Sequence, residues 1–226
     1  MCGRFAQFSL PEALEAYFDV ADGYDFPPPR YNIAPGSQIL ALRGGTHGRP
    51  NFVSLHWGLI PSWAKDRKFG YRTINARAET VAEKPSFRDA FKSRRCLIPA
   101  DGFYEWKATP DGKQPYFIRL KDQSPMAFAG LWESWTDRET GEVVLSGTII
   151  VTQANDLVRQ IHDRMPVILG PGEFPAWLDP SAKAEPRLQG LLRPIDPAQL
   201  VIHPVDRRVG KPTNEDPSLI LPLAAG

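Results

Sequence analysis

The chain has only two cysteines, Cys2 and Cys96, among its 226 residues. Two thiols make a poor disulfide framework and suit a reducing compartment. Metal-binding patterns are missing as well. The four histidines, His47, His56, His162 and His203, are scattered, with no CxxC, HxxxH or HExxH spacing, so no metal site is expected and no cofactor is called for. No apolar run approaches the roughly 20 residues of a membrane span, and the N-terminus lacks the basic-then-apolar pattern of a secretory signal. No membrane partner is expected, and the cytosol, or the nucleus where the cell has one, is the expected location. Net charge is also small, at +1, which by itself says nothing of a polyanionic partner. Repeats, low-complexity segments and linkers are absent, so one domain over residues 1–226 is expected.

What the chain does have is turn formers. Its 23 prolines and 18 glycines argue against a helix bundle. Strand-like runs rich in apolar and β-branched residues lie at 38–42, 51–60, 96–106, 115–120, 126–132 and 143–152, and "TPDGKQ" between the third and fourth carries the Asp-Gly signal of a hairpin. "SLPE" at 9–12 has the form of a capping box with Ser9 as N-cap and Glu12 three residues on, opening a helix through Phe18. Further helices are expected over Pro85–Lys92, over Asn155–His162 with Asn155 as cap, and near Trp177 and Leu191. "DFPPPRYNIAP" at 25–35, with three consecutive prolines, reads as irregular loop. Strands outnumber helices without regular βαβ alternation. The expected class is therefore α+β, on a curved, mostly antiparallel sheet with short peripheral helices.

Charge is unevenly placed. Between Lys65 and Arg95 there are ten Lys or Arg against four acids, a local excess that suits either a phosphate-binding groove or a merely solvated surface. Cys96, inside "RRCLIPADGFYEW", reads as core. Cys2, directly behind Met1, has two readings. It is an inert buried thiol, or, once Met1 is trimmed, a 1,2-aminothiol whose amine (pKa about 7.7–8.0) and thiol (about 8.5) both carry a nucleophilic fraction near neutral pH. "WGLIPSW", "INARAET", "ADGFYEW" and "IHDRMP" add a carboxylate, an imidazole, a carboxamide and several arginines, the parts of an acid-base site that handles an anionic substrate.

In this order, "MCGRF", "RYNIAP", "WGLIPSW", "NARAET", "RRCLIPADGFYEW", "FAGLWE" and "IHDRMPVIL" resemble the SRAP (SOS response-associated peptidase) family, from Cys2 to about residue 220. One stretch departs from the family pattern: "VGKPTNEDPSLI" stands where Val-Gly-Asn is usual. The resemblance implies the SRAP fold and a monomeric sensor of abasic sites in single-stranded DNA, acting in DNA repair. Cys2 would join the ring-opened sugar as a thiazolidine, with self-cleavage of the leader and reversal of the crosslink as associated peptidase- or lyase-like activities. It also implies roles. Glu105 would manage protons at Cys2, His162 would help open the sugar ring, and Asn75 would hydrogen-bond the sugar or adduct. Thr152 would line the same pocket, Arg4, Arg77 and Arg164 would clamp phosphates, and Trp63 and Trp106 would stack on flanking bases. Two other readings stay open: an N-terminal-nucleophile hydrolase of peptidase or glutaminase type, and a single-strand-binding module without covalent chemistry.

Overall fold

In the strands of this chain apolar residues run nearly unbroken, and such strands need cover on both faces. A computed structural model, which describes all residues except 1, 21–22, 46–48, 183–185 and 224–226, shows how that cover is supplied. His47 and the fate of Met1 lie outside the described residues. Among the described residues thirteen strands form two sheets.

The first sheet contains β1 (Phe5–Gln7), β2 (Arg30–Ile33), β7 (Gly102–Thr109), β8 (Gly112–Leu120) and β13 (Leu200–Pro204), in the order β13-β8-β7-β1-β2. Its pairings are all antiparallel. In the second sheet β3 (Gln38–Arg43), β4 (Asn51–Trp57), β6 (Arg95–Ala100), β9 (Met126–Thr136) and β10 (Val143–Gln153) close into a ring, because β10 pairs with both β9 and β4. Short strands β5 (Asn75–Arg77) and β11 (Arg164–Pro166) flank the C-terminal end of β10, and β12 (Ile168–Leu169) pairs with β9. The expected mostly antiparallel, β-rich α+β class is what is seen.

Alternation along each strand sorts side chains to two cores. On β3, Ile39 and Ala41 join Cys96, Ile98, Phe128 and Ile149 of the ring and Phe5, Phe103 and Ile118 of the first sheet. Leu40 and Leu42 join Leu97, Ala129 and Leu131, packed against α1 (Pro11–Phe18), α2 (Arg88–Ser93) and α3 (Phe174–Leu178). Each such buried Leu, Ile or Phe contributes about 1.5–3 kcal/mol relative to exposure. A fourth helix, α4, spans Pro186–Gly190. No helix among the described residues is long and apolar enough to cross a membrane.

Several sequence expectations are corrected. The 96–106 run is two strands, because the buried Asp101 interrupts it: its carboxylate accepts from the backbone of Phe8 and Ser9 and from the Ser9 hydroxyl. That sends β6 to the ring and β7 to the first sheet. The same contact removes Ser9 from capping duty, so α1 has Leu10 at its N-cap without a side-chain hydrogen bond. The proline-rich segment is irregular only through residue 29; beyond the prolines the backbone donors return, and Arg30–Ile33 pairs with β1. The 51–60 run stops at Trp57. Gly58 has φ +135°, and a Cβ there would lie 2.6 Å from the carbonyl oxygen of Gly70. Helix 85–92 is confined to Arg88–Ser93. Helix 155–162 is a 3-10 turn, Val158–Gln160, although Asn155 Oδ1 does accept the Val158 N–H at 3.0 Å. The Asp-Gly hairpin is present, β7 turning into β8 at Gly112 with φ +109°.

Candidate active site

The two sheets meet at the N-terminus of the chain. Phe5 pairs with Ile33 on one side and Phe103 on the other, and its ring packs edge-on against Trp57 at 5.2 Å. Holding β1 centrally fixes the residues just before it. Cys2 is fully buried. Its carbonyl accepts from Asn75 Nδ2 at 2.8 Å. Burial pushes its thiol well above the usual range, the Glu105 carboxylate adding to the rise and a hydrogen bond from the Arg4 backbone opposing it. The thiolate fraction expected from an ordinary thiol is thus suppressed, because this sulfur lies away from water.

Glu105 enters from β7, where strand alternation buries it to 3% exposure. Burial raises its carboxyl to about 7, and the nearby charge of Asp163 pushes in the same direction. A carboxyl poised there both accepts and donates a proton near neutrality. Asn75 and Arg77 share one side of β5, opposite Ala76, which belongs to the helix-covered core. Asn75 Oδ1 is buried with no hydrogen-bond partner among the described residues. His162 follows the 3-10 turn. Its Nδ1 accepts the Arg164 backbone N–H at 3.0 Å, and burial lowers its pKa. The Asp163 carboxylate lies 3.0 Å from the same nitrogen and opposes that lowering.

Arg164 and Arg77 are brought to opposite sides of β10, through the Gln153–Arg164 and Val151–Arg77 register. Between them stands Glu79. Burial works against its charge, but its own backbone N–H, the Arg164 hydrogen bond and the charges of Arg164 and Arg77 together hold its carboxyl below the usual range. Arg164 is ion-paired to Glu79; Arg77 is exposed and makes no ion pair among the described residues. Glu79 lay in a quoted motif without an assigned role, and only its neighbours in space reveal one.

Other expected contacts are differently placed. Arg4 is 9% exposed, and its guanidinium donates to Asn32 Oδ1 at 2.6 Å and the Val209 carbonyl at 2.7 Å. That engagement ties one guanidinium nitrogen, Nη1, into the fold. The cause is Asn32, whose amide is itself fixed by the carbonyls of Lys211 and Asn214 at 3.0 and 2.7 Å. Those carbonyls belong to the stretch that departs from the family pattern. Thr152 is buried, and its hydroxyl donates to the Leu192 carbonyl at 3.3 Å. Trp106 is half-buried, with Arg4 Cζ 5.9 Å from its ring centroid. Trp63 is 49% exposed and meets Phe69 edge-on at 5.1 Å.

Comparison with known proteins bears on the family and the fold. The family described as SOS response associated peptidase (SRAP) matches residues 1–212. The chain is 45% identical over 227 residues to abasic site processing protein YoqW of Bacillus subtilis, covering 97% of this chain and 99% of that one. It is 34% identical over 230 residues to abasic site processing protein YedK of Escherichia coli, covering 99% and 100%. A crystal structure of a Bacteroides thetaiotaomicron protein superposes with a TM-score of 0.89 at 27% identity, covering 98% of this chain and 100% of that one.

Proposed function

The chain belongs to the SOS response-associated peptidase family, and on that premise we propose that it captures abasic sites in single-stranded DNA through Cys2 once Met1 is removed. The observation that carries the reading is the pairing of a buried second-residue thiol with the Glu105 carboxyl held at about 7. Relatives named abasic site processing proteins support it.

The chemistry balances without an oxidant or cofactor. The ring-opened sugar exposes an aldehyde. The Cys2 amine adds to its carbon, and loss of water leaves an imine. The Cys2 sulfur then bonds to the imine carbon, the C=N electron pair moves to nitrogen, and the proton from sulfur ends on that nitrogen. A thiazolidine and one water result. Glu105 is suited to take the sulfur proton and return it to nitrogen, since its pKa lies close to the working pH. His162 is suited to hydrogen-bond the sugar ring oxygen as the ring opens. The unpartnered Oδ1 of Asn75 is an acceptor for a sugar hydroxyl. Arg77 supplies phosphate contact directly and Arg164 does so in exchange for Glu79. Trp63 and Trp106 offer faces to flanking bases, each worth about 1–3 kcal/mol.

The test is incubation with an abasic single-stranded oligonucleotide, denaturing electrophoresis, and mass spectrometry of the peptides. The expected product is a sugar remnant on Cys2. A protein that forms no denaturation-resistant complex, or places the remnant elsewhere, overturns the reading. Glutamine or peptide hydrolysis in place of crosslinking would favour the N-terminal-nucleophile hydrolase.

A further inference from the structure

The basic segment Lys65–Arg95 splits in two in the fold. Its end is spent internally: Arg95 donates to five backbone carbonyls of the α2 and α3 regions, and Arg94 pairs with Glu133 at 2.7 Å. Its beginning is not. The 3-10 helix Arg67–Arg72 holds Lys68, Tyr71 and Arg72 outward. Lys68 and Arg72 make no ion pair among the described residues, and the one acid of the stretch, Asp66, caps the turn by accepting the Lys68 N–H at 2.6 Å.

Tyr71 is the most exposed large apolar side chain described, at 72%. No ring packs on it among the described residues. Nevertheless its backbone is held firmly. Gly70 lies against Gly58 so closely that a Cβ on it would come within 2.7 Å of the Gly58 oxygen, and the Thr73 hydroxyl donates to the Leu59 carbonyl at 2.6 Å. Phe69 anchors the turn in a small core with Ile60, Ala64, Trp135 and Val144. A rigid turn that presents a largely exposed aromatic ring, its Cε1 beside Gly36, together with two cations that make no ion pair among the described residues is preorganised for a stacking polyanion. Four residues on, the same chain reaches Asn75, at most about 14 Å away along the backbone.

We infer that Tyr71, with Lys68 and Arg72, forms a stacking platform for a base of the single strand flanking the lesion, outside the covalent pocket. This rests on the lesion reading for its substrate. The site fits a strand because one exposed planar ring beside two cations of the same turn matches a base beside its phosphates, whereas a folded protein partner would need a larger apolar patch.

The experiment compares initial crosslinking rates at subsaturating DNA for three oligonucleotides: an abasic site with two nucleotides on each side, and the same core extended by ten nucleotides on one side or the other. Native protein should gain rate from one extension. Tyr71→Ala should lose about five- to hundredfold of that gain while matching native protein on the short oligonucleotide, and Tyr71→Trp should restore it. Lys68→Ala and Arg72→Ala should each reduce the salt slope by about one unit. Equal rates for native protein and Tyr71→Ala on both extensions would overturn the platform. Should native protein crosslink none of the three, the lesion reading fails on its own, and anisotropy with intact strands decides the platform: loss of affinity in Tyr71→Ala sustains it, equal affinity overturns it.

Discussion

Cys2 and Cys96 are equally enclosed, and burial drives both thiols far above their ordinary range. Burial therefore does not separate a nucleophile from a core residue here. Their neighbours do. Cys96 sits in β6 opposite Gly130 of β9, with its carbonyl bound by the Trp177 indole N–H at 2.9 Å and only the charge of Arg43 acting on its sulfur. Around Cys2 stand a carboxyl that titrates near neutrality and a carboxamide with an unspent acceptor. A buried thiol becomes useful when a proton acceptor is buried with it.

The widest separation between the two comes from deleting sulfur. Cys2→Ala should abolish the denaturation-resistant complex with abasic DNA, read on a denaturing gel. Keeping Cys2 but retaining Met1 or adding an uncleavable tag should do the same, because an amide nitrogen has its lone pair delocalised and cannot condense with an aldehyde. A blocked protein that crosslinks at the native rate would remove the aminothiol from the mechanism.

Glu105→Gln should come next, slowing crosslinking by about a hundredfold, the lower range for loss of a positioned acid-base group. The native rate should rise with pH around a midpoint near 7, where the carboxyl gains its charge, and the variant should lose that rise. Stability should run the other way. Below about pH 4.5 the carboxyl is protonated in folded and unfolded chains alike. As pH climbs toward 7 the unfolded chain releases its proton and the folded one keeps it, so stability falls, and the loss is complete above 7. Glu105→Gln should flatten that slope in denaturant titrations from pH 4 to 8.

Most strands were legible because both sheet faces are covered, which writes long apolar runs into the sequence. What escaped were strands too short to carry a period, such as β5 and β11, and elements decided by a distant partner. Asp101 is the clearest case: nothing local says that it will take Ser9 away from its helix and divide one apolar run between two sheets. In the site, Cys2, Glu105, Asn75 and His162 were named from motifs, but the tether from Arg4 to Asn32 was not legible, because an arginine's charge is visible in sequence and its hydrogen-bond partner is not.

Asn75→Ala should have a smaller effect than Glu105→Gln. It removes the hydrogen bond to the Cys2 carbonyl, a net contribution of about 0.5–1.5 kcal/mol, so crosslinking at subsaturating DNA should fall by about two- to tenfold. Asn75→Asp keeps an acceptor but loses the donor to that carbonyl, and it should be no better than alanine if positioning of Cys2 is what matters. Recovery to the native rate would instead assign the function of Asn75 to its Oδ1.

The smallest effect on chemistry belongs to Cys96, and it completes the comparison from the other side. Its sulfur packs among Ile98, Phe128 and Ile149, where a serine hydroxyl would cost about 1–3 kcal/mol unless it found an acceptor. Cys96→Ser should therefore lower the denaturation midpoint, and Cys96→Ala should lower it less, because alanine buries no polar group. Neither change touches the Glu105 or Asn75 contacts. Cys2 and Cys96 share one core cluster, yet measured well below the melting temperature both variants should crosslink within about twofold of the native rate, since neither removes a polar group that acts on Cys2. A folded Cys96→Ser protein that crosslinks as poorly as Cys2→Ala would mean that the two thiols act on the same substrate, and that the neighbours which distinguish them in the fold do not distinguish them in the reaction.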